Sequence, residues 1–452
     1  MPEKMEHDST HLRLSEVNEA LDSGMFVHVK RMLYQTPPCD IALLLESSPP
    51  ACRKVLWRLT DSEMQGEILD ELNEDAKTSI LKMMDTESLV AATEGLDTDD
   101  LANILRSLPD SIYQEVITQM DTQDRQRLET AMAYPEDTAG SIMDTDTITL
   151  RPDVTVDVIL RYIRLRGELP EATDTLYVVD KDDRLIGDVP LAMLLTTDPN
   201  SVIRTIMDRE AETLPANMDT SEIAKLFERH DWISAPVIDD SGKLLGRITI
   251  DDVVDIIREN AEHDMMGMAG MDDDEDTFAP VMQSTKRRTL WLGVNLIAAL
   301  TAASVSNMFE ATLEQLATLA ILMTIVPSMG GIAGNQTLAL VIRGMAVGHI
   351  NDDNSRWLIG KEAMVGALNG AIWAISIAII VSLWKGDPSL GLIIGGAMFI
   401  NMAMGGLAGV VIPLAMKKYN IDPALAGGMA LTTVTDVVGL FAFLGMATLV
   451  YG

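Results

Sequence analysis

Two kinds of hydrophobic pattern open the chain. From Leu12 to about Met132, apolar residues recur at intervals of three and four, which predicts a series of short amphipathic helices. Leu101, Ile104 and Leu105 form one such stripe, and the acidic turn before them is typical of a helix start. Because short helices repeat with polar turns between them, we predict stacked helical hairpins that form a small solenoid.

The second pattern alternates β-branched runs with helices and repeats itself. The stretch 177–187 recurs 59 residues later as 236–246, and each copy predicts a strand, a polar turn, a second strand and a helix. In the second copy Thr249 and Asp252 open the last helix, and the first copy lacks this Thr-x-x-Asp pair. The simplest role for Thr249 is that of a helix cap.

Five long apolar segments follow, at about 289–310, 316–346, 361–384, 390–416 and 423–451. Each is long enough to cross a hydrocarbon layer of ~30 Å at ~1.5 Å per residue. The lysines and arginines between them place the N-terminus in the cytoplasm and the C-terminus outside. No positively charged region precedes an apolar core at the N-terminus, so we expect no cleaved signal peptide.

These patterns predict a multidomain membrane protein with an all-α front, an α/β pair and an α-helical transmembrane bundle of five spans. The predicted boundaries are a helical domain at 1–135, two α/β repeats at 136–200 and 201–262, a linker and connecting helix at 263–288, and the membrane domain at 289–452.

Charge is divided unevenly between the two halves. Residues 1–285 carry a formal net charge of −35, whereas residues 286–452 carry +1. A front with this charge repels phosphate, which excludes nucleic acid as a partner, but it suits the binding of cations. Cys39 and Cys52 are too few for a metal or disulfide framework.

One carboxylate lies inside the last apolar segment. Asp436 follows Thr432 by one helical turn. An Asp at the centre of a membrane helix is disfavoured by roughly 2.5–3.5 kcal/mol, so the position predicts a hydrated pathway lined by protein. The alternative is a packing residue that is protonated or bonded to threonine.

Neutral amides occur in two other segments. Asn335 and Gln336 end a stretch rich in glycine at 327–336, and Asn401 lies in the fourth segment. Amide oxygens suit the water shell of a cation, and backbone freed by glycine and proline is tolerated at membrane depth only against protein or a watery cavity. Close packing of helices through small residues is the alternative for the glycines.

An acidic row follows the second α/β repeat. The spacing of Asp252, Asp255, Glu259 and Glu262 places them on one helix face, where like charges repel. Asp251 and Asp264 extend the set. A bound cation would relieve the repulsion; the alternative is a solvated acidic face.

The order of these features resembles the MgtE family of magnesium channels. The resemblance rests on the helical front, the junction at 134–143, a tandem CBS-domain pair, the Gly-Asn-Gln of span two and the Thr-x-x-x-Asp of span five. It implies a homodimer with one pore on its axis, lined by spans two and five, with Asp436 as the pore carboxylate. It further implies regulatory acids at Asp422, Asp99, Glu67, Asp252 and Asp264.

The resemblance also implies a possible cofactor, and the chain differs from the family at a few positions. CBS pairs often bind adenine nucleotides, which makes ATP at Thr249 and Asp252 a candidate. This chain has Asn103, Asn260 and His263 where relatives carry acids. The expected function is magnesium uptake across the cytoplasmic, or inner, membrane, where lipid surrounds the protein. The channel is expected to close when cytosolic Mg²⁺ bridges the front domains and the connecting helix.

Two other classes of function compete with this one. A secondary transporter that couples Mg²⁺ or Co²⁺ to an ion gradient fits an intramembrane Asp equally well. An enzyme is not expected, because the chain has no nucleophile–base pair, HExxH or P-loop.

Overall fold

The computed structural model describes residues 19–21, 23–93, 96, 98–106, 108, 110–120, 122–167, 169–170, 172–271, 277–419 and 421–451. The chain divides into two compact units. The first comprises Met1–Asn260 with Asp276–Pro280, and the second comprises Ala261–Glu275 with Val281–Gly452.

The first unit begins with short helices. Over the described residues these are α1 to α9: Phe26–Tyr34, Pro38–Glu46, Pro50–Leu59, Gln65–Asp70, Glu74–Leu81, Thr86–Thr93, Thr98–Arg106, Asp110–Gln119 and Thr122–Met132, with a 3₁₀ turn at Ser62–Met64. Local signals set their starts: Pro38 and Pro50 occupy first-turn positions, and the Asn73 side chain accepts the Ala76 N–H at 2.9 Å. Their apolar faces share one core, as the three-and-four spacing predicted.

Two small sheets of the same topology follow. They are built from β1 to β6 at Thr149–Leu150, Thr175–Val179, Leu185–Pro190, Leu214–Pro215, Ser234–Ile238 and Leu244–Thr249. In each sheet the short first strand pairs in parallel with the second, and the second pairs antiparallel with the third. The helices of this region are α10 to α14, at Val156–Arg166, Leu191–Thr196, Ile203–Ile206, Thr220–His230 and Ile250–Met268.

A glycine in the third strand of each sheet admits a neighbouring backbone. A Cβ on Gly187 would lie 2.1 Å from the Asp208 carbonyl oxygen, and one on Gly246 would lie 2.5 Å from that of Asp144. Both distances are far below van der Waals contact. The repeated sequence therefore ends in glycine because another segment crosses there in both copies.

The second unit contains five helices long and apolar enough to cross a membrane, counted over the described residues. We call them the first to fifth spans: Val281–Asn307, Ala317–Ala346, Asn354–Lys385, Pro388–Lys418 and Pro423–Tyr451. The corresponding helices are α15 (Val281–Asn307), α17 and α18 (Ala317–Leu322 and Ile325–Ala346), α19 (Asp352–Lys385), α20 (Pro388–Lys418) and α21 (Pro423–Tyr451), with α16 at Glu310–Gln315. The helical front, the paired sheets and the five apolar helices confirm the predicted fold class.

The ends of the spans differ from the predicted segments. Residues 281–288, predicted as part of a connecting helix, run without a break into the first span, because no proline or glycine interrupts Val281–Asn307 before Gly293. The second span is interrupted at Met323 and Thr324, just before Pro327, and is helical through Gly330, Gly331 and Gly334.

The fourth span lies at the centre of this unit and packs against the second, third and fifth spans. Small residues permit the approach. Gly405 faces the Gly330 carbonyl, and Gly409 faces the Gly334 carbonyl and Thr337. The glycines of the second span thus serve close helix packing, which was the alternative to a broken helix.

Candidate ion pathway and regulatory carboxylates

Asp436 and Thr432 share one face of the fifth span, because residues four apart lie one above the other on a helix. Thr432 is exposed and its Oγ1 donates to the Gly428 carbonyl at 2.9 Å, while Asp436 is half-buried. Among the described residues, none forms a hydrogen bond or ion pair with the Asp436 carboxylate. The carboxylate is therefore available to a ligand.

The neighbouring face of the fifth span packs against the second and fourth spans. Leu431 and Thr435 are fully buried, with Leu431 against Gly334. Gly439 lies against Asn401 and Pro327. These contacts fix the rotation of the helix, and they leave Thr432 exposed and Asp436 half-buried on the neighbouring face.

The three predicted amides lie in different surroundings. Asn335 and Gln336 are both exposed, but they point about 100° apart because they are adjacent on a helix. Gln336 lines a cavity between the second, third and fourth spans. Asn401 is fully buried, and its Nδ2 donates to the Val326 carbonyl at 2.8 Å, so it ties the fourth span to the second.

Glu362 in the third span was not singled out from the sequence. Its side chain is 4% exposed, Thr337 Oγ1 donates to its Oε2 at 3.2 Å, and Lys361 Nζ lies 2.5 Å from its Oε1. The residue is the second of the predicted third segment, where charged residues usually face water. Only the packing of the second and third spans reveals that it is buried.

Asp422 caps the fifth span. Its carboxylate accepts the Ala424 N–H at 2.9 Å and the Leu425 N–H at 3.3 Å. His263, near the end of α14, places Nε2 2.9 Å from the same carboxylate, and Gly267 packs against Ala424. In this chain a histidine thus contacts the predicted regulatory acid. Asp264, the next residue, is half-buried.

Thr249, Asp251 and Asp252 form a compact group at the start of α14. Thr249 Oγ1 donates to Asp251 Oδ1 and, at 3.1 Å, to Asp252 Oδ2, which also accepts the Thr249 N–H at 3.3 Å. Burial raises the pKa of Asp252 to about 7, and the neighbouring charge of Asp251 adds to the rise. The Asp252 carboxylate thus accepts the backbone N–H of Thr249 at the start of α14, while the Thr249 hydroxyl donates to both carboxylates.

An acid of the helical domain lies near this group. Asp70, at the end of α4, shares a hydrogen bond with Asp100, and the charges of Asp255 and Asp251 lie close enough to affect it. Burial raises the pKa of Asp70, while Lys77 opposes the rise. The sequence did not single out Asp70 or Asp100, because acids at helix ends are common.

The other predicted regulatory acids are more open. Glu67 lies exposed on α4, one turn before Asp70, and Asp255, Glu259 and Glu262 are exposed on α14. The Asp99 side chain lies outside the described residues. Among the side chains that are described, no three of His, Cys, Asp or Glu stand close enough together to bind one metal ion.

Family models match three parts of the chain. Residues 36–137 match the MgtE intracellular N domain, 139–197 and 203–259 match the CBS domain, and 323–446 match the divalent cation transporter MgtE.

Curated relatives extend over the whole chain. A magnesium transporter MgtE from Bacillus subtilis is 28% identical over 99% of each chain. One from Enterococcus faecalis is 30% identical over 70% of each chain, and one from Thermus thermophilus is 27% identical over 96% of this chain and 97% of its own.

A solved structure, described as the cytosolic domain of the Mg²⁺ channel MgtE in complex with ATP, matches 54% of this chain and 99% of its own. Its TM-score is 0.50 at 29% identity. The relative that is 30% identical over 70% of each chain shows that this chain belongs to the MgtE family of divalent cation transporters, whose family model matches residues 323–446.

Proposed function

We propose that this chain transports Mg²⁺ through a pathway that contains Asp436, at the interface of two copies. As a family member it is a multi-pass membrane transporter and not an enzyme. The observation that carries the proposal is the open face of the fifth span, with Asp436 and Thr432 one turn apart. A carboxylate facing lipid is costly, and a second copy that covers this face removes the cost.

Mg²⁺ suits the groups on this face. The ion prefers oxygen ligands and dehydrates reluctantly, so it keeps several waters in most sites. Two Asp436 carboxylates from a homodimer, with the Thr432 hydroxyls one turn away, would hold a hydrated ion without removing its water, and the exposed Asn335 amide of the second span is a further candidate ligand. Softer metals prefer Cys and His, which the five spans lack.

Growth of a magnesium-auxotrophic strain tests the pathway. Wild type is expected to rescue growth at low Mg²⁺, whereas Asp436→Ala and Asp436→Asn fail, because both remove the charge that attracts the ion. Glu314→Gln, at an exposed acid of α16, is the matched control and should rescue. Full rescue by Asp436→Asn would overturn the proposal. Unit currents far above carrier turnover in a patch recording would exclude the gradient-coupled carrier.

Regulation by cytosolic Mg²⁺ is the second part of the proposal. The acids that face each other within the first unit, Asp70 and Asp100 on one side and Asp251, Asp252 and Asp255 on the other, repel one another when empty. Mg²⁺ bound among them would favour a compact arrangement, and its loss would favour an open one. A nearly complete shift from the open to the compact arrangement needs ~5.5 kcal/mol. Several Mg²⁺ sites, each binding the ion somewhat more tightly in the compact arrangement, would together supply it.

Limited proteolysis of the purified full-length protein tests this regulation. Millimolar Mg²⁺ should slow cleavage between the helical domain and the CBS pair, and Asp70→Asn combined with Asp255→Asn should reduce the protection. Equal cleavage of wild type with and without Mg²⁺ contradicts the proposal. The same digestion with ATP tests a nucleotide site at Thr249 and Asp252, because Thr249→Ala should then lose any protection by ATP.

A further inference from the structure

A cavity of about 230 Å³ lies between the second, third and fourth spans, away from the face that carries Asp436. Gln336, Glu362 and Asn369 give it polar walls, and Leu340 and Val365 give it apolar ones. It is smaller than the ~300–1,000 Å³ of sites for drug-sized ligands. A small polar group attached to an apolar body fits this volume and these walls.

Lys361 and Glu362 form an ion pair at the cavity with no net charge, and the lysine side chain can move. Glu362 is almost fully buried, while the Lys361 side chain is 40% exposed. The two residues are adjacent on the helix, and adjacent residues do not face each other. Lys361 must therefore fold back to reach Glu362, and its ammonium can swing outward if another cation takes its place. Removing the lysine without a replacement would leave a buried charge unpaired, which is costly.

The depth of the cavity within the membrane can be estimated from the two tryptophans near the ends of the third span. From Trp357 to Trp384 the helix rises about 40 Å, which matches a bilayer with its headgroups. Both tryptophans are exposed, as interfacial aromatic residues are. Glu362 lies about 7.5 Å inward from Trp357 along the axis, where headgroups meet hydrocarbon. Leu340 and Val365, at 48% and 39% exposure, face outward at this level.

We propose that this cavity binds the headgroup of a phospholipid with a primary ammonium group, of the phosphatidylethanolamine class. The ammonium donates to Glu362 and to the amide oxygens of Gln336 and Asn369, and Lys361 turns to the phosphate. The acyl chains pass over Leu340 and Val365. A trimethylammonium headgroup has no N–H to donate, and a glycerol headgroup brings no cation for Glu362.

Thermal unfolding of the full-length protein in lipid nanodiscs tests the proposal. Replacing part of the phosphatidylcholine with phosphatidylethanolamine should raise Tm by a few degrees, because a ligand that binds only the folded state stabilises it. Phosphatidylglycerol should not. Glu362→Gln should lose most of the rise, and Glu314→Gln, an exposed acid outside the cavity, should keep it.

Asn369→Leu keeps the test decisive if Glu362→Gln does not fold. It fills the cavity without touching the Glu362–Lys361 pair, so the protein should fold but no longer respond to phosphatidylethanolamine. An equal Tm rise with phosphatidylglycerol, or a full response in Asn369→Leu, overturns the proposal. An equal rise with soluble phosphoethanolamine in phosphatidylcholine discs overturns the lipid as occupant. Neither readout depends on transport.

Discussion

At the scale of single residues, two aspartates have pKa values shifted in opposite directions. Asp252 and Asp239 lie in the same repeat. Asp239 accepts hydrogen bonds from Ser241 and Lys243 in an exposed turn, which lowers its pKa, whereas burial raises the pKa of Asp252 to about 7. An acid that is half-protonated near neutral pH can exchange its proton for a cation, which fits the regulatory role proposed for Asp252.

The raised pKa of Asp252 makes stability depend on pH. Its folded pKa of about 7 exceeds the ordinary value of 3.8, so the folded state binds more protons between these values. Stability due to this group therefore falls as pH rises from about 4 to 7 and is level above. Asp252→Asn should be more stable than wild type at pH 8, by about 1–3 kcal/mol, and equal to it near pH 4.

Thermal unfolding of both full-length proteins across this pH range measures the difference. Asp239→Asn is the control with the opposite expected effect. Because the pKa of Asp239 is lowered in the folded protein, its carboxylate stabilises the fold at neutral pH and loses that effect in acid. Parallel curves for wild type and Asp252→Asn would contradict the assignment.

At the scale of elements, glycine faces set how closely the spans approach. Gly405 of the fourth span meets the second span where a Cβ would lie 2.6 Å from the Gly330 carbonyl oxygen. A Cβ on Gly293 of the first span would have no heavy atom of another described segment within 4 Å. Both are helical glycines in membrane spans, yet only Gly405 is required by packing.

Gly405→Ala should therefore destabilise the membrane unit by about 1–3 kcal/mol, since a backbone carbonyl cannot move aside without shifting a helix. Gly293→Ala should be neutral or slightly stabilising, because alanine is the better helix former. The measurement is Tm of the purified full-length protein in one detergent. A similar loss of stability in both variants would show that the close contact is not the cause.

At the scale of the whole molecule, the proposed pathway needs a second copy to cover the exposed face of the fifth span. Thr432 is exposed and Asp436 is half-buried within one chain. In hydrocarbon such a polar face is unfavourable, whereas in a homodimer it would line a shared pore. The proposed pathway is complete only when two copies meet.

Cysteine cross-linking tests the partner. In a chain with Cys39 and Cys52 replaced by serine, Thr432→Cys should be linked into a dimer in membranes by a bifunctional thiol reagent long enough to span the proposed pore. Ile375→Cys, also exposed but on the third span, is the control and should remain monomeric. Absence of cross-linking at position 432, or equal cross-linking at both positions, would argue against a pore at this face.

The sequence by itself determined the order of domains and the five spans, because hydrophobic periodicity and segment length depend on local composition. It also identified Asp436, since one charge in a long apolar run is visible without contacts. Only the tertiary structure decided which face each helix buries. Tertiary packing places Gln336 at a cavity, buries Asn401 and Glu362, and brings Asp70 near Asp251 and Asp255. Those groupings come from packing between segments far apart in the chain, where periodicity carries no information about the partner.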